Sequence, residues 1–440
     1  MSKGWSVGAV ADDLLQVGSL NDGVDSGSDV SLAPARRIEL LAYFSGAFDL
    51  AESQPVGHAC RVAHFALGIA DVFGMTSVER RRVLGAALLH DAGVAVRTGA
   101  GHLEGGAWVA ERFGLDEGVK NAIRHTHERW DGQGRPNALS GDAIPLEALI
   151  VSAAHWASDQ VEGPQNPLRA RTLLQRACPA DVEPFVGPEI SAALSSVLRD
   201  DRTWIAMWSP KLPMLVAAAG AGEGRPSLKR VDMAVAAMGE VIDAAIREPG
   251  RSRRVSELAV ALGAGLELPA ANRRGLALAG HLLDLGQLGV PRHITEKPSI
   301  LSVDEMEQMR RHPGLGARML ESAPGLDGIG GWIEGHHERL DGRGYPGMLA
   351  TTEIPLEARI LAVADAYCAL RADRPFRSAL SRLESVALVR AGAGTQFDGR
   401  VVSVLGGALD VCEPRWASQP GVAQTPRSRA VAPARVRRGA

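Results

Sequence analysis

An internal repeat constrains the fold of this chain more than any other feature of its sequence. Residues 127–136 read HERWDGQGRP and residues 337–346 read HERLDGRGYP, so His, Glu, Arg, Asp, Gly and Pro stand at matching positions. Each stretch is followed, at the same distance, by the tetrapeptide Pro-Leu-Glu-Ala, at 145–148 and 355–358. Because self-similarity of this kind marks a repeated structural unit, we predict two copies of one domain.

The repeat also sets the predicted domain boundaries. The first 35 residues are rich in Gly, Ser and Asp, and the last 30 turn to Pro, Arg, Ala and Ser, which is typical of disordered segments. We predict, in order, a disordered tail at 1–35, a first repeat at 36–200, a linker at 201–228, a second repeat at 229–410 and a second disordered tail at 411–440.

Composition excludes several classes of function. The net charge is −3 and no long basic run interrupts the repeats, so non-specific binding of nucleic acid is not expected. The four cysteines are scattered without a Cys-x-x-Cys pair, which indicates free thiols in a reducing compartment. The most apolar stretch, 204–222, is interrupted by proline and lysine, so it is a poor membrane span. We therefore predict a soluble, cytoplasmic protein without nucleic-acid or membrane partners, and leave protein partners open.

Histidine and aspartate recur at equivalent positions of the two repeats. His90 and Asp91 are adjacent at the end of a predicted helix, so an imidazole and a carboxylate point to one place, as a divalent metal with an activated water requires. The same spacing of 24 residues separates His102 from Thr126 and His312 from His336. Because neutral imidazole is the commonest transition-metal ligand in proteins, the pattern predicts a metal site in each repeat.

Six motifs of the second repeat occur in a recognisable order. They are DLGQLGVP at 284–291, RHP at 311–313, GHHERLDGRGYP at 335–346, ADAY at 364–367, DRPFR at 373–377 and GTQFD at 394–398. This ordered set, within residues 250–405, resembles the HD-GYP family, bacterial phosphohydrolases that cleave the second messenger cyclic di-GMP. The first repeat looks like a plain HD domain. The resemblance implies an all-α fold of tandem helical bundles, with His and Asp ligands for two or three metal ions.

The resemblance also implies roles for individual residues. Divalent transition metal ions such as Fe or Mn, one or two per domain, are the implied cofactor, and a nucleotide second messenger such as cyclic di-GMP is the implied partner. The implied catalytic residues are Asp91 and Asp284. Implied contacts to substrate come from Tyr345, Arg374 and Arg377, although Arg377 could instead pair with Asp373 or Glu384. The implied metal ligands are His58, His90, Asp91, His102, His127, His155, Asp284, His312, His336, His337 and Asp365.

The second repeat departs from the family pattern beside Asp284. Leu283 stands where the family has a metal-binding histidine, and Gln287 where it has a lysine. Because a leucine side chain cannot bind a metal, we expect Leu283 to occupy the space of one ion and to weaken two-metal hydrolysis. His281, one helical turn before Asp284, is either a replacement ligand or an unrelated helix histidine. We also note Arg251 at the position that His58 holds in the first repeat.

The first repeat departs elsewhere. Thr126 replaces the first histidine of the pair, Val94 replaces the lysine, and His155 stands where the family has aspartate. An extra imidazole would make the site favour Fe, Mn, Ni or Zn over Mg.

Three functional hypotheses follow. The first is a metal-dependent phosphohydrolase or phosphodiesterase acting on cyclic di-GMP or a related nucleotide. The second is a degenerate signalling protein that binds the nucleotide or a partner without turnover, and the third is a helical scaffold. We expect metal in the first repeat, and nucleotide binding in preference to hydrolysis in the second.

Overall fold

The computed structural model describes residues 37–96, 101–162, 167–219, 226–321, 323–373 and 377–417. Across these residues the chain forms α-helices and short 3-10 helices, with isolated β-bridges in place of strands. The predicted all-α fold is confirmed. The predicted first tail, and the second tail beyond residue 417, lie outside the described residues.

The first repeat is a bundle whose helices begin where the sequence supplies caps. The side chain of Thr76 accepts a hydrogen bond from the backbone N–H of Glu79, and the Glu79 carboxylate accepts one from the backbone N–H of Thr76. This capping box starts α3. The helices of this part are α1 (Arg37–Ala51), α2 (His58–Val72), α3 (Ser77–Leu89), α4 (Gly93–Val96), α5 (His102–Arg112), α6 (Glu117–Arg124), α7 (Leu146–Glu162), α8 (Pro167–Ala177), α9 (Glu183–Val186), α10 (Pro188–Arg199), α11 (Asp201–Met207) and α12 (Leu212–Ala219).

The second repeat follows the same order of elements. A capping box of Ser302 and Glu305 starts α17, which ends at Met309, and His312 begins a separate helix. The helices are α13 (Leu228–Ile246), α14 (Arg251–Gly265), α15 (Ala270–Leu282), α16 (Arg292–Thr295), α17 (Val303–Met309), α18 (His312–Leu320), α19 (Gly330–Glu334), α20 (Leu356–Leu370), α21 (Arg382–Ala391) and α22 (Gly399–Ala417). A 3-10 helix at Leu285–Gly289 takes the place of α4.

Two predicted boundaries differ from the structure. The predicted linker at 201–228 contains α11 and α12, which pack on α2 and α1 because Trp204, Met207 and Val216 bury their side chains there. At the other end, α22 continues past residue 410 to Ala417. It is held by the indole N–H of Trp416, which donates to the Glu257 carboxylate over 2.6 Å.

The two repeats contact each other through equivalent elements. Helix α1 packs on α13, its counterpart in the second repeat. It also packs on the 3-10 helix at Leu285–Gly289 and on α18, while α13 packs in the same way on α4 and α5 of the first repeat. Such reciprocal contacts are those of a two-fold dimer, formed here within one chain.

Helix α1 is buried on nearly all sides because it lies in this interface. Ile38, Leu40, Leu41, Phe44 and Phe48 are each at most 3% exposed. A helix that is apolar all round is stable only when it is enclosed, and α1 is enclosed by both repeats. In the described part of the chain, no helix has the length and apolarity to cross a membrane.

Candidate metal centres

Four side chains of the first repeat converge on one point. His58 begins α2, His90 and Asp91 follow the end of α3, and His155 lies in the middle of α7. One ligand atom from each lies within 4.8 Å of the others. We call these four residues the first cluster. The structure therefore brings together four of the six metal ligands implied for this repeat.

Neighbouring groups orient the rings of the first cluster. The Nδ1 atom of His90 donates to the carbonyl of Ala87 over 2.8 Å, because a carbonyl can only accept. The other ring nitrogen, Nε2, then faces the cluster, and it lies 2.6 Å from Oδ2 of Asp91. Both atoms are buried and have no hydrogen-bond partner elsewhere in the described chain. Three imidazoles and a carboxylate in this arrangement fit a divalent transition metal ion.

Glu52 is a member of this site that the sequence did not reveal. Burial raises the pKa of its carboxyl well above the ordinary value, and the neighbouring charge of Asp91 raises it further. Burial alone would also raise the pKa of Asp91, but the adjacent His90 and His155 lower it. The two carboxyl groups are close neighbours, and their pKa values are shifted in opposite directions, that of Glu52 upward and that of Asp91 downward. Glu52 lies in the turn after α1, outside every recognisable motif.

The two remaining implied ligands of the first repeat form a separate pair. His102 and His127 approach each other with their Nε2 atoms 2.8 Å apart. Thr126 stands where the family has a further histidine, next to His127, and its hydroxyl donates to the carbonyl of Ile123. Burial and the neighbouring His102 lower the pKa of His127 to about 4, so its ring is neutral. This pair is an incomplete second subsite beside the first cluster.

A glycine after each aspartate allows the next histidine to come close. A methyl group at Gly93 would overlap the carbonyl oxygen of His102, and one at Gly286 would overlap that of His312. Only glycine permits this approach of backbone to backbone. The sequence motif thus places the start of α5 or α18 directly against the aspartate of its repeat.

Three histidines of the second repeat form a second cluster. Ligand atoms of His312, His336 and His337 lie within 4.8 Å of one another. The Nδ1 atoms of His312 and His336 lie 2.9 and 2.5 Å from the carbonyls of Met309 and Ile333, which leaves Nε2 directed at the cluster. Burial, with the neighbouring rings, lowers the pKa of His312 to about 4 and that of His337 as well. Three imidazoles that converge in this way can hold one metal ion.

Asp284 was expected in one coordination sphere with these three histidines, and Asp365 at the other ion, but neither aspartate joins the second cluster. Arg251, which is 6% exposed, places Nε 2.9 Å from Oδ2 of Asp284 and Nη2 2.5 Å from Oδ1 of Asp365. The other carboxylate oxygen of Asp284 accepts from Gln287 over 2.6 Å and lies 3.8 Å from Nε2 of His312. A guanidinium group thus engages both carboxylates.

Leu283 was expected to fill the space of the missing ion. Its side chain is 2% exposed and packs instead into the hydrophobic core. The group that contacts both aspartates is the guanidinium of Arg251. His281 is not a replacement ligand either. Its Nδ1 atom lies against Gly239 of α13, and burial lowers the pKa of the ring to about 4. The alternative of an unrelated helix histidine agrees with this position.

The implied substrate contacts differ in their placement. The ring of Tyr345 lies 4.7 Å from that of His337, directly beside the second cluster. Arg377 does not point its guanidinium at the site. It donates to the carbonyls of Ala369, Leu370 and Ser378, because the end of α20 leaves backbone oxygens without helical partners. Arg374 lies outside the described residues.

The repeated HER-x-DG-x-G-x-P loops have the same internal bonding. The buried carboxylates of Glu128 and Glu338 each accept two backbone N–H groups, nine and eleven residues further along. Arg129 pairs with Asp131 as Arg339 does with Asp341. The sequence repeat is therefore a structural repeat, which fixes His127 and His337 in equivalent positions.

Comparison with known proteins agrees with this architecture. Family models described as HD domain match residues 56–156 and 241–401. Over 325 residues, the chain is 26% identical to 3′3′-cGAMP-specific phosphodiesterase 3 of Vibrio cholerae, covering 72% of this chain and 68% of the relative. It is 33% identical over 251 residues to a cyclic di-GMP phosphodiesterase of Pseudomonas aeruginosa, covering 57% and 58%. The chain belongs to the HD-GYP family, with two HD domains in tandem.

A further relative and a solved structure are also similar to this HD-GYP protein. It is 38% identical over 154 residues to the cyclic di-GMP phosphodiesterase response regulator RpfG of Xanthomonas campestris, covering 34% of this chain and 41% of the relative. The crystal structure of a cyclic GMP-AMP specific phosphodiesterase from Vibrio cholerae covers 86% of this chain and 98% of its own, with a TM-score of 0.61 and 23% identity, and so shares the fold. These relatives are named as phosphodiesterases of cyclic dinucleotides, which agrees with the predicted class, a metal-dependent phosphohydrolase of cyclic-dinucleotide signalling.

Proposed function

We propose that this chain hydrolyses a phosphodiester bond of a cyclic dinucleotide, and that the first cluster is its metal centre. The observation that carries this proposal is the convergence of His58, His90, Asp91 and His155 within 4.8 Å. The second cluster has three imidazoles, but its aspartates are engaged by Arg251. The first repeat therefore has the more complete ligand set.

The residues of the first cluster have distinct roles in this proposal. The three histidines bind the ion through ring nitrogens, and Asp91 supplies the negative charge that they lack. A divalent ion bound there supplies an activated water and a Lewis acid for the phosphate. Glu52 lies beside Asp91, and burial together with the charge of Asp91 raises the pKa of the Glu52 carboxyl. With three nitrogen ligands, Fe or Mn suits this site better than Mg.

The substrate class is inferred from the relatives and from Tyr345. The relatives are named for cyclic di-GMP and 3′3′-cGAMP. We infer that one of these bacterial second messengers is the substrate, which would place the activity in the cytoplasm. The ring of Tyr345, beside His337, provides a surface on which a base can stack.

A second function is favoured by a specific observation in the second repeat. Because Arg251 neutralises the aspartates there, this repeat is better suited to bind a nucleotide than to cleave it. The chain would then combine a hydrolytic repeat with a nucleotide-sensing repeat.

The proposal is tested with the full-length chain and two substrates, cyclic di-GMP and 3′3′-cGAMP. Hydrolysis is followed by chromatography of the linear products after addition of Mn²⁺ or Fe²⁺, with a chelator as control. We expect metal-dependent cleavage of at least one substrate. Tight binding of both nucleotides without cleavage, in protein shown to contain metal, would favour the sensing function alone.

A further inference from the structure

Arg251 occupies a position that belongs to a metal ligand in the first repeat. It begins α14 as His58 begins α2, and each follows a glycine with positive φ, Gly250 and Gly57. Both side chains enter the interior of their repeat from the same point of the fold. The imidazole of His58 joins a metal-binding cluster there, whereas the guanidinium of Arg251 does not ligate metal.

Three carboxylates surround the Arg251 guanidinium. Nε and Nη2 form the two short contacts to Asp284 and Asp365, and Nη1 lies 3.8 Å from Glu248. The side chains of Arg251, Asp284 and Asp365 are 7%, 8% and 12% exposed, so water screens these charges little. Asp284 and Asp365 are both among the metal ligands that the family resemblance implies.

We infer that Arg251 is a resident cation that replaces one metal ion in the second repeat, so that this repeat binds a single divalent ion on His312, His336 and His337. This inference concerns the second repeat alone and stands whether or not the first repeat hydrolyses a nucleotide.

The charges explain why the replacement is permanent. A guanidinium is always protonated in proteins, so a change of pH does not remove it. Its planar fork presents separate N–H groups to the two carboxylates, Nε to Asp284 and Nη2 to Asp365. A divalent ion at the same place would be repelled by the guanidinium at short range and would find the carboxylate oxygens already engaged.

The same arrangement of charges favours the binding of one divalent ion at the second cluster. One positive charge against Asp284 and Asp365 leaves a net negative charge, with Glu248 close by. Oδ1 of Asp284 lies 3.8 Å from His312, so this negative charge is felt at the second cluster. A single cation on these three imidazoles would therefore be attracted and not repelled.

Metal counting in full-length variants tests the inference. Arg251→His removes the guanidinium and supplies a ligand, whereas Arg251→Lys keeps the positive charge, and Arg253→His adds a histidine at a half-exposed position of the same helix. Each protein is loaded with Mn²⁺, desalted and measured by plasma mass spectrometry. We expect Arg251→His to gain about one equivalent of ion over the wild type, and the Lys and Arg253→His variants to gain none.

A measurement on the unaltered protein keeps the test decisive if Arg251→His fails to fold. Anomalous diffraction from wild-type crystals soaked in Mn²⁺ should show one peak beside His312, His336 and His337 and none between Asp284 and Asp365. A peak between the two aspartates would overturn the inference. So would a folded Arg251→His protein that binds no additional ion.

Discussion

Two buried aspartates illustrate how single residues prepare these sites. Asp49 accepts hydrogen bonds from the backbone N–H groups of Gly57 and Ala59. Asp243 accepts hydrogen bonds from the backbone N–H and from the hydroxyl of Ser252. Each carboxylate thereby fixes the start of the helix that presents His58 or Arg251. Burial raises the pKa of both to about 6, although these hydrogen bonds oppose the shift.

The raised pKa of Asp243 predicts a pH dependence of stability. Its pKa is higher in the folded chain than in the unfolded chain, so the folded state binds more protons between about pH 4 and 6. Stability therefore falls as pH rises through this window, and the full cost, about 3 kcal/mol, applies above it. Asp243→Asn keeps an acceptor for the Ser252 N–H without the charge.

We expect the stability of Asp243→Asn relative to wild type to increase from pH 4 to pH 6 and to stay constant above. Chemical denaturation at each pH measures the free energy of unfolding. Asp304→Asn, at an exposed position in the first turn of α17, is the matched control and should show no such increase. A parallel pH profile for Asp243→Asn and wild type would contradict the prediction.

A second residue-scale prediction concerns restoration of hydrolysis in the second repeat. Leu283→His with Gln287→Lys returns the family residues, but Arg251 would still engage both aspartates. In a chain whose first cluster is inactivated by His90→Ala and Asp91→Ala, we expect no gain from that pair alone. Adding Arg251→His should raise the rate of cyclic di-GMP hydrolysis at least about tenfold. A gain of this size without the Arg251 substitution would show that the guanidinium does not block the site.

At the scale of elements, the packing of α18 on the preceding turn positions the second cluster. The carbonyl oxygen of His312 lies against Gly286, and a methyl group there would overlap it. Gly286→Ala should therefore displace α18 and lower the free energy of unfolding by about 3 kcal/mol, with loss of metal from the second cluster.

Gly331→Ala is the control for this substitution, because a methyl group at Gly331 would meet no atom of the described chain within 4 Å. It lies in α19, so alanine should be neutral or stabilise by about 0.5–1 kcal/mol. Thermal unfolding and metal content are measured for both variants. Equal effects of the two substitutions would refute the role given to Gly286.

Sequence reasoning predicted the elements whose information is local. The adjacent His90 and Asp91 were placed at the end of a helix, which is α3, and the spacing of the histidines indicated which of them lie together. It did not reveal Glu52, which comes from a turn without a motif. It also missed the role of Arg251, because its contact to Asp365 joins residues 114 positions apart and depends on how α14 and α20 pack.

At the scale of the whole molecule, the repeats form an internal dimer. Helix α1 covers α13 and the turn that follows Asp284, and Arg112 of α5 reaches Glu240 of α13 across the interface over 3.4 Å. Arg292 of the second repeat donates to the carbonyl of Val94 in the first. One continuous hydrophobic core runs through both repeats, so we expect them to unfold together.

This interface predicts the behaviour of an isolated second repeat. A fragment of residues 226–417 would expose the apolar face of α13, which α1 covers in the full chain. Because the natural contacts are those of a two-fold pair, we expect this fragment to self-associate and to melt at a lower temperature than the full chain. Sedimentation velocity and calorimetry measure both properties. A monomeric fragment with unchanged melting temperature would contradict the interface.

The most direct test of the central claim, that metal chemistry belongs to the first cluster, is kcat/KM for cyclic-dinucleotide hydrolysis in two full-length double variants. His90→Ala with Asp91→Ala removes ligands of the first cluster, and His336→Ala with His337→Ala removes those of the second. We predict that the first pair lowers kcat/KM at least about a hundredfold and that the second pair leaves kcat close to wild type. The reverse pattern, with hydrolysis lost only in the His336 and His337 variant, would contradict the account.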